Sequence, residues 1–300
     1  MEKNITPINQ LSWKDRLKSY KKHPGSFILL LLVGASAVIT VTVLVYLVGY
    51  ILIHGVPYLR PSLFSLTYNS DNVSMMPAII NTITMVLLAL LFSVPFGIGA
   101  AIYLVEYAKK GNKLVKVIRT TAETLTGIPS IVYGFFGLVV IVPLMAQLTG
   151  KNGNTMLTAS ILLAVMILPT VVGVTESAIT SVPESYYEAS LGLGATHSQS
   201  VFFAVVPAAK SGILAGIVLG IGRAIGETMA VIMIAGNQPR MPKGITEGLR
   251  TMTANIVLEM GYASGLHREA LIATGVVLFV FILLINLSVS MLNRRVHYGD

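Results

Sequence analysis

Two residues of opposite charge, Arg223 and Glu227, lie four positions apart inside a long apolar, glycine-rich segment, Ser211–Ile234. A charged side chain at the centre of a bilayer costs at least about 2.5 kcal/mol, so such residues tend to mark a polar path through a membrane protein. Arginine also presents a planar fork of donors that matches the oxygens of an oxyanion. The pair therefore predicts a protein that moves an anion across a membrane.

The spacing of the pair predicts how it works. Positions i and i+4 share one face of an α-helix, so we expect Glu227 to pair with Arg223 when no substrate is present. Counted from Lys210, Arg223 lies about 20 Å along the helix, past the middle of a hydrocarbon core of about 30 Å. A passing anion would then compete with Glu227 for the guanidinium. The alternative is a static ion pair that holds two helices together.

Further candidates for the pathway lie around the segment Thr126–Gly134, which contains two glycines and a proline. These residues would bend or break a helix, and interrupted helices in transporters point to a binding site or gate. Ser130 and Tyr133 are therefore candidate pathway residues, and Glu123 is a candidate gate residue. The alternatives are an ordinary helix start with an early proline and, for Glu123, the preference of acids for helix N-termini. Glu176 fits a solvated position at the membrane interface.

The composition indicates the elements that must hold these residues. Hydrophobic residues make up 54% of the chain and charged residues 11%, whereas soluble domains carry about 25% charged residues. We predict an all-α, polytopic membrane protein with six transmembrane helices. The six apolar segments are Phe27–Ile53, Pro77–Val105, Ile128–Leu148, Leu157–Thr180, Ser211–Ile234 and Leu271–Leu292.

The distribution of basic residues predicts the orientation. Most of the 21 lysines and arginines fall on one side of the membrane when the N-terminus is placed inside, so both termini should be cytoplasmic. Residues 1–26 then form a basic cytoplasmic segment before the first transmembrane helix, 27–53, and residues 293–300 a cytoplasmic tail. The formal charge of +8 fits this topology and contact with lipid better than nucleic acid, because the basic residues are not interleaved with stacking aromatics.

Several kinds of chemistry find no support in the sequence. The chain has no cysteine, and its five histidines lie far apart, so we expect no metal site. It has no phosphate-binding loop of the G-x-x-x-x-G-K-[ST] type. We therefore expect a transport subunit that binds no cofactor and is not itself an enzyme.

Two connections are long enough to contain structure of their own. In the predicted cytoplasmic connection Ser181–Lys210, two short helices that meet at a glycine corner and end before Pro207 would form a knob that docks on another protein. In the predicted outer loop Asn237–Ala270, a short helix Thr246–Glu259 would cap the pathway or meet a partner. After the knob, a stripe of small residues predicts close packing against another helix or a partner permease; its members are Gly212, Gly216 and Gly220.

The knob carries a family resemblance. It resembles the EAA loop of ATP-binding-cassette importer permeases, with serine in place of the second alanine, at Glu188, Ala189, Ser190, Gly194 and Pro207. The runs Thr126–Gly137 and Gly222–Val231 more specifically resemble the permeases of phosphate importers, which are of the PstA and PstC types. Residues 77–137 are more similar to PstA, and residues 226–286 to PstC.

This resemblance implies a MetI-like permease fold for a core at 77–292, with the coupling loop at 181–210 and an extracytoplasmic loop at 237–270. It implies a heterodimer with a second phosphate permease subunit in a bacterial or archaeal cytoplasmic membrane. An extracytoplasmic phosphate-binding protein would deliver the substrate, and a cytoplasmic ATPase dimer would use ATP. Three alternatives stay open: a permease for sulfate or molybdate, a self-sufficient anion transporter, and a membrane scaffold or sensor.

Overall fold

A computed structural model describes residues 24–109 and 111–297, and these residues form α-helices and connections without a β-strand. Residues 1–23 and 298–300, which hold most of the predicted basic segment and part of the predicted tail, lie outside the described residues. The chain divides into two compact units, residues 1–54 and residues 55–300. The second unit thus begins earlier than the predicted core at residue 77.

The described part of the first unit is one long apolar helix, α1, Pro24–Gly55, which extends one residue beyond the unit boundary. Its apolar side chains are exposed along almost the whole length. A helix that is apolar on all faces is stable in lipid rather than in water, which agrees with the predicted first transmembrane helix.

The helices of the first half of the second unit follow one another with short connections. They are α2 (Met76–Ile102, extended by a π-helical turn at Tyr103–Tyr107), α3 (Lys113–Gly127), α4 (Ser130–Phe136), α5 (Val142–Thr149) and α6 (Met156–Thr180). A π-helical turn, Gly137–Ile141, joins α4 to α5. The two helices therefore form one continuous apolar span, Ser130–Thr149.

The second half contains several short helices between two long ones. They are α7 (Glu184–Gly192), α8 (His197–Ser200), α9 (Val206–Ala208), α10 (Lys210–Gly226), α11 (Met229–Ile234), α12 (Met252–Glu259) and α13 (Gly265–His297). In the described ranges, five helices are long and apolar enough to cross a membrane. A sixth span results if the pair His197–Ala208 and Lys210–Gly226, bent by 67°, is counted as one.

Helix α6 lies at the centre of the second unit, with α2 and α10 packed along it. The glycines of these two helices allow the close approach. A Cβ atom at Gly97 of α2 would lie 2.8 Å from Cγ1 of Val171, and one at Gly220 of α10 would lie 3.3 Å from Cγ2 of the same valine. The predicted stripe at Gly212, Gly216 and Gly220 thus packs against α6 of its own chain.

The bundle has two distinguishable ends. The basic end carries the connections 103–129 and 181–209, and the far end carries the connection 236–264. At the far end, the backbone N–H groups of Met156 and Leu157 donate to the carbonyls of Glu247 and Ile245, each at 2.8 Å. Because Ile245 and Glu247 bind the start of α6 in this way, the short helix begins only at Met252, and the predicted start at Thr246 is wrong.

Candidate functional site

The predicted fifth transmembrane helix is interrupted beside the two charged residues. Helix α10 ends at Gly226, Glu227 has an extended backbone with φ −68° and ψ 129°, and α11 begins at Met229. Side chains satisfy the backbone groups at this break. Thr253 donates from its hydroxyl to the Glu227 carbonyl at 3.0 Å, and the Glu227 carboxylate accepts from the N–H of Ala230 at 3.2 Å.

The break separates Arg223 from Glu227, so the predicted ion pair between them is wrong. The expectation assumed one continuous helix, whereas the extended backbone at Glu227 turns its carboxylate to the start of α11. Nη1 of Arg223 donates instead to the hydroxyl of Thr170 on α6, at 3.4 Å. Among the described residues, no carboxylate lies within ion-pair distance of the half-buried Arg223.

A second break lies between α3 and α4, at Ile128 and Pro129. The hydroxyl of the buried Tyr133 spans it by donating to the carbonyl of Leu125 at 2.8 Å. Ser130 is the first residue of α4 and is half-buried. The segment Thr126–Gly134 therefore interrupts the helical path, and it also contains an ordinary helix start preceded by a proline. Both features that the sequence suggested as alternatives are present together.

The two breaks are brought together by direct contact of α4 with α11. A Cβ atom at Gly134 of α4 would lie 2.9 Å from Cα of Ala230 and 2.8 Å from Sδ of Met233. The absence of a side chain at Gly134 thus lets the two helices touch. Tyr133 lies one residue away and is within electrostatic range of Arg223. The structure therefore brings together Arg223, Tyr133 and the Glu227 break.

Glu123 lies at the basic end of this region. It is exposed and lines a cavity of about 370 Å³, together with Arg119, Thr126 and Glu176. Nη2 of Arg119 and Oε1 of Glu176 form an ion pair at 2.6 Å. The interpretation of Glu176 as a simply solvated residue is wrong, because its carboxylate pairs with Arg119, 57 positions earlier on another helix.

The connection at residues 181–209 forms a projecting knob at the basic end. Helix α7 ends at Gly192, and Gly194 turns the chain with a left-handed φ of +89°. Thr196 begins α8 with a capping box to Gln199. The helical path then continues through a π turn to Ala208. The prediction that the second short helix ends before Pro207 is therefore wrong. This proline lies in the first turn of α9, where no backbone N–H is needed.

The surface of the knob is unusually apolar for an exposed connection. Leu193, beside the glycine corner, is 91% exposed, and Phe203 is 80% exposed. Exposed apolar groups that cluster on a projection mark a surface for another protein. Of the predicted coupling residues, Glu188, Ala189, Gly194 and Pro207 are exposed and Ser190 is half-buried.

A clasp of aromatic residues joins the knob to the end of α2. The ring of His197 packs edge-on against Tyr107 with centroids 4.9 Å apart, and its Nδ1 lies 2.8 Å from the hydroxyl of Tyr187. The hydroxyl of Tyr107 donates to that of Ser198 at 3.1 Å. A movement of the knob would therefore reach α2 directly.

The loop at the far end is braced internally by a largely buried ion pair. Nη1 of Arg250 contacts Oε1 of Glu259 at 2.6 Å, with side chains only 13% and 12% exposed. Burial raises the pKa of Glu259. The Tyr262 hydroxyl and the Arg250 guanidinium outweigh this effect and hold the pKa below its ordinary value. The amide of Asn81 on α2 donates to the Arg250 carbonyl at 3.3 Å, which anchors the loop to the first core helix.

No group of three metal-ligating side chains lies together in the part of the chain that the structure describes. Sequence reasoning missed Thr170, Arg119 and Thr253, which act through partners on other helices. Thr170 and Thr253 have residue types that are common in apolar helices. Only the ionisable Arg119, in an amphipathic stretch, gave a signal that a search for candidate sites would register.

Comparison with known proteins places this architecture among transport proteins. Residues 93–298 match the family model described as "Binding-protein-dependent transport system inner membrane component". The chain is 37% identical over 267 residues to the "Probable ABC transporter permease protein YqgH" of Bacillus subtilis, covering 85% of each chain. It is 34% identical over 234 residues to the "Phosphate transport system permease protein PstC" of Pasteurella multocida, covering 71% of this chain and 72% of the relative.

Among solved structures, the fold is similar to a chain of the MetNI methionine ABC transporter in an inward-facing conformation. The TM-score is 0.59 at 20% sequence identity, over 73% of this chain and 94% of that chain. At this level of identity the likeness shows the fold alone. It agrees with the predicted MetI-like permease fold.

Proposed function

Because the chain belongs to the family of binding-protein-dependent transport system inner membrane components, we propose that it is the PstC-type permease subunit of an ATP-driven phosphate importer. Arg223 would be its principal anion-contacting residue, placed where two interrupted helices meet. Membership of the family makes the chain a transport subunit of the membrane, and the proposal adds the substrate and the residues that contact it.

The observation that carries this proposal is the state of Arg223. Its guanidinium is half-buried and contacts only a neutral hydroxyl at 3.4 Å, with no carboxylate of the described residues in range. An arginine has five N–H donors, and an uncompensated charge within a membrane protein is costly. A tetrahedral oxyanion would supply both the charge and the acceptors that this site lacks.

The break beside Arg223 supports a role in movement as well as binding. Glu227 is tied to the far-end loop by Thr253 and to α11 through Ala230. A displacement of that loop would therefore alter the backbone next to Arg223. We propose that the far-end loop caps the path in this conformation and that the substrate enters when the cap moves.

The assignment to the PstC type rather than PstA has direct support from the length of the match. The match to a PstC permease is 234 residues long and covers 71% of this chain. The region downstream of Gly226 is much shorter than this, so the similarity to PstC extends beyond the C-terminal part that resembles it most. The N-terminal resemblance to PstA does not outweigh this extent.

The partners follow from the two ends of the bundle. The exposed apolar knob at residues 181–209 would dock on a cytoplasmic ATPase dimer, and the basic end and both termini would then lie in the cytoplasm. The far end would face the extracytoplasmic phosphate-binding protein. A second phosphate permease subunit would complete the path as a heterodimer. The ATP would be bound by the ATPase and not by this chain.

Two alternative functions can be distinguished from phosphate import, one by experiment and one by a feature of the structure. A sulfate or molybdate permease would use the same guanidinium, and only a comparison of anions separates it from the proposed substrate. A self-sufficient transporter would have no use for the knob, whose Leu193 and Phe203 are exposed. The knob therefore favours the ATP-driven importer.

The test reconstitutes this chain with its second permease, ATPase and binding protein in vesicles and measures ATP-dependent uptake of phosphate, sulfate and molybdate. Arg223→Gln should lower phosphate uptake about 10²-fold, because it removes a charge-assisted fork from a buried site. Arg223→Lys should recover only part of the loss, since lysine cannot contact an oxyanion with two donors.

The matched control is Arg60→Gln. This arginine is 56% exposed, and its ion pair with Glu269 is long, at 3.9 Å. Surface ion pairs of this kind contribute little, so the loss of Arg60 should leave uptake within about twofold of the wild type. Wild-type uptake by a fully assembled Arg223→Gln complex would contradict the role of Arg223. Preference of the wild-type complex for sulfate or molybdate would contradict the substrate.

A further inference from the structure

A polar cavity lies at the basic end, beyond the two breaks. It has a volume of about 370 Å³ and is bounded by α3, by α6 and by the turn that follows α2. Its polar lining comes from Arg119, Glu123, Thr126 and Glu176. This set contrasts with the apolar faces of the neighbouring helices, and the proposed function assigns no role to Arg119 or Glu176.

The cavity and the contact of Arg223 share one helix, α6. Pro169 and Gly173 of α6 belong to its wall, and Thr170, the residue after Pro169, accepts from the Arg223 guanidinium without itself lining the cavity. A Cβ atom at Gly173 would meet no heavy atom within 4 Å, so the wall is open at this point. Six residues along α6 separate Thr170 from Glu176, which is about 9 Å along the helix axis.

The ion pair in the cavity has unused binding capacity. Nη2 of Arg119 lies 2.6 Å from Oε1 of Glu176, while the side chain of Arg119 is 48% exposed. A guanidinium has five donors, and one contact leaves others available to an oxyanion. The cavity is large enough for an ion of the size of phosphate with some of its water.

We propose that Arg119 is a second anion-contacting residue, at the cytoplasmic exit of the path, and that Glu176 limits how long the anion stays by competing for its guanidinium. This inference rests on the proposed import of phosphate. An anion that has left Arg223 would next meet Arg119 of α3, whose partner Glu176 lies about 9 Å in axial rise from Thr170 on α6. The competition that the sequence predicted for Glu227 at Arg223 thus occurs at a different arginine.

The carboxylates make this a site of release rather than storage. Glu176 regains the guanidinium when the anion leaves, and Glu123 adds a second negative charge to the same cavity. Like charges repel the departing anion, while Arg119 offsets the barrier that carboxylates alone would create. Phosphate on the cytoplasmic side should therefore bind here weakly and inhibit further transport.

The experiment uses the complete transporter in vesicles with the ATPase on the outside and the binding protein and labelled phosphate in the lumen. The release of label on addition of ATP gives the transport rate, and unlabelled phosphate in the bath gives the inhibition from the cytoplasmic side. The variants are Arg119→Gln, Glu176→Gln and the exchange of both residues, Arg119→Glu with Glu176→Arg. Lys116→Gln is the matched control, because this exposed residue lies one turn earlier on α3 and outside the cavity lining.

We expect Arg119→Gln to lower transport about tenfold and to abolish inhibition by bath phosphate, because a charge-assisted contact to the anion is lost. Glu176→Gln should strengthen that inhibition about tenfold, since the competitor for Arg119 is gone. The exchanged pair can form an ion pair again but places the arginine on α6, and it should stay as impaired as Arg119→Gln. The control should match the wild type in both measurements.

Two results would overturn the inference. Recovery of wild-type transport by the exchanged pair would show that the ion pair only joins α3 to α6, and unchanged inhibition in both single variants would show that the anion does not contact Arg119. Assembly of each variant with the ATPase is measured first, which separates loss of folding from loss of contact. If the wild-type complex moves sulfate instead of phosphate, the proposed function fails, and the same variants measured with sulfate still decide the role of Arg119.

Discussion

At the scale of single residues, the site is a positive charge whose contacts come from other helices. Arg223 stands out in the sequence because it is ionisable and lies in an apolar segment. Its contact Thr170 does not stand out, because threonine is common in transmembrane helices and often bonds only to its own backbone. The sequence therefore predicted the charge, whereas the neighbour depends on how α10 packs against α6.

Thr170 positions the Arg223 guanidinium through its hydroxyl. Thr170→Val keeps the shape but removes the acceptor at 3.4 Å, so we expect phosphate uptake to fall about threefold to tenfold, as for one hydrogen bond. Thr170→Ser should retain most of the activity. Thr180→Val, at the exposed end of the same helix, is the control. Equal uptake by Thr170→Val and the wild type would remove Thr170 from the site.

At the scale of elements, hydropathy predicted where the spans lie but only part of where they break. The break at Ile128–Pro129 follows from a local signal, since proline has no N–H and disfavours a helical residue before it. The break at Glu227 has no comparable signal. Glutamate has good helical propensity, and the break is stabilised by the local N–H of Ala230 and by the hydroxyl of Thr253, which lies 26 positions later.

The contact between the two broken helices depends on Gly134. Gly134→Ala would place a Cβ atom 2.9 Å from Cα of Ala230, and the helices must then separate. We expect a loss of about 1–3 kcal/mol in stability, as for overpacking, and lower phosphate uptake because the site lies at this contact. Thermal unfolding of the purified complex and vesicle uptake measure the two effects.

The matched change is Gly99→Ala on α2, where no heavy atom lies within 4 Å of the new Cβ. Alanine is the better helix former, so this change should be neutral or stabilising by up to about 1 kcal/mol. Equal effects of the two substitutions would mean that the α4 contact with α11 is not tightly packed.

At the scale of the whole molecule, composition and the knob motif were sufficient to predict the class of protein, because lipid imposes long apolar helices on any such chain. The far end was less predictable. Its loop, at residues 236–264, crosses several helices through contacts such as that of Asn81 with Arg250. Pairings between residues so far apart in sequence leave no periodic pattern.

The far-end cap should make the stability of the molecule depend on pH through Glu259. Its pKa in the folded protein lies below the ordinary value, despite burial, because of Tyr262 and Arg250. A lowered pKa means that the folded state binds its proton less readily than the unfolded state. The ion pair therefore contributes its full stabilisation above the unfolded pKa of about 4.3 and loses it as the pH falls through the folded pKa.

Glu259→Gln should accordingly lower the unfolding temperature of the complex at pH 7, because it leaves the buried Arg250 without a counter-charge, at a cost of about 3 kcal/mol. The difference from the wild type should shrink as the pH falls below about 4. Glu269→Gln is the control, since its pair with Arg60 is 3.9 Å long and more exposed. A constant difference between Glu259→Gln and the wild type from pH 7 to below pH 4 would mean that the charge of Glu259 does not stabilise the far-end loop. The loop would then be held by its backbone contacts to α6 and by the amide of Asn81, neither of which titrates in this range.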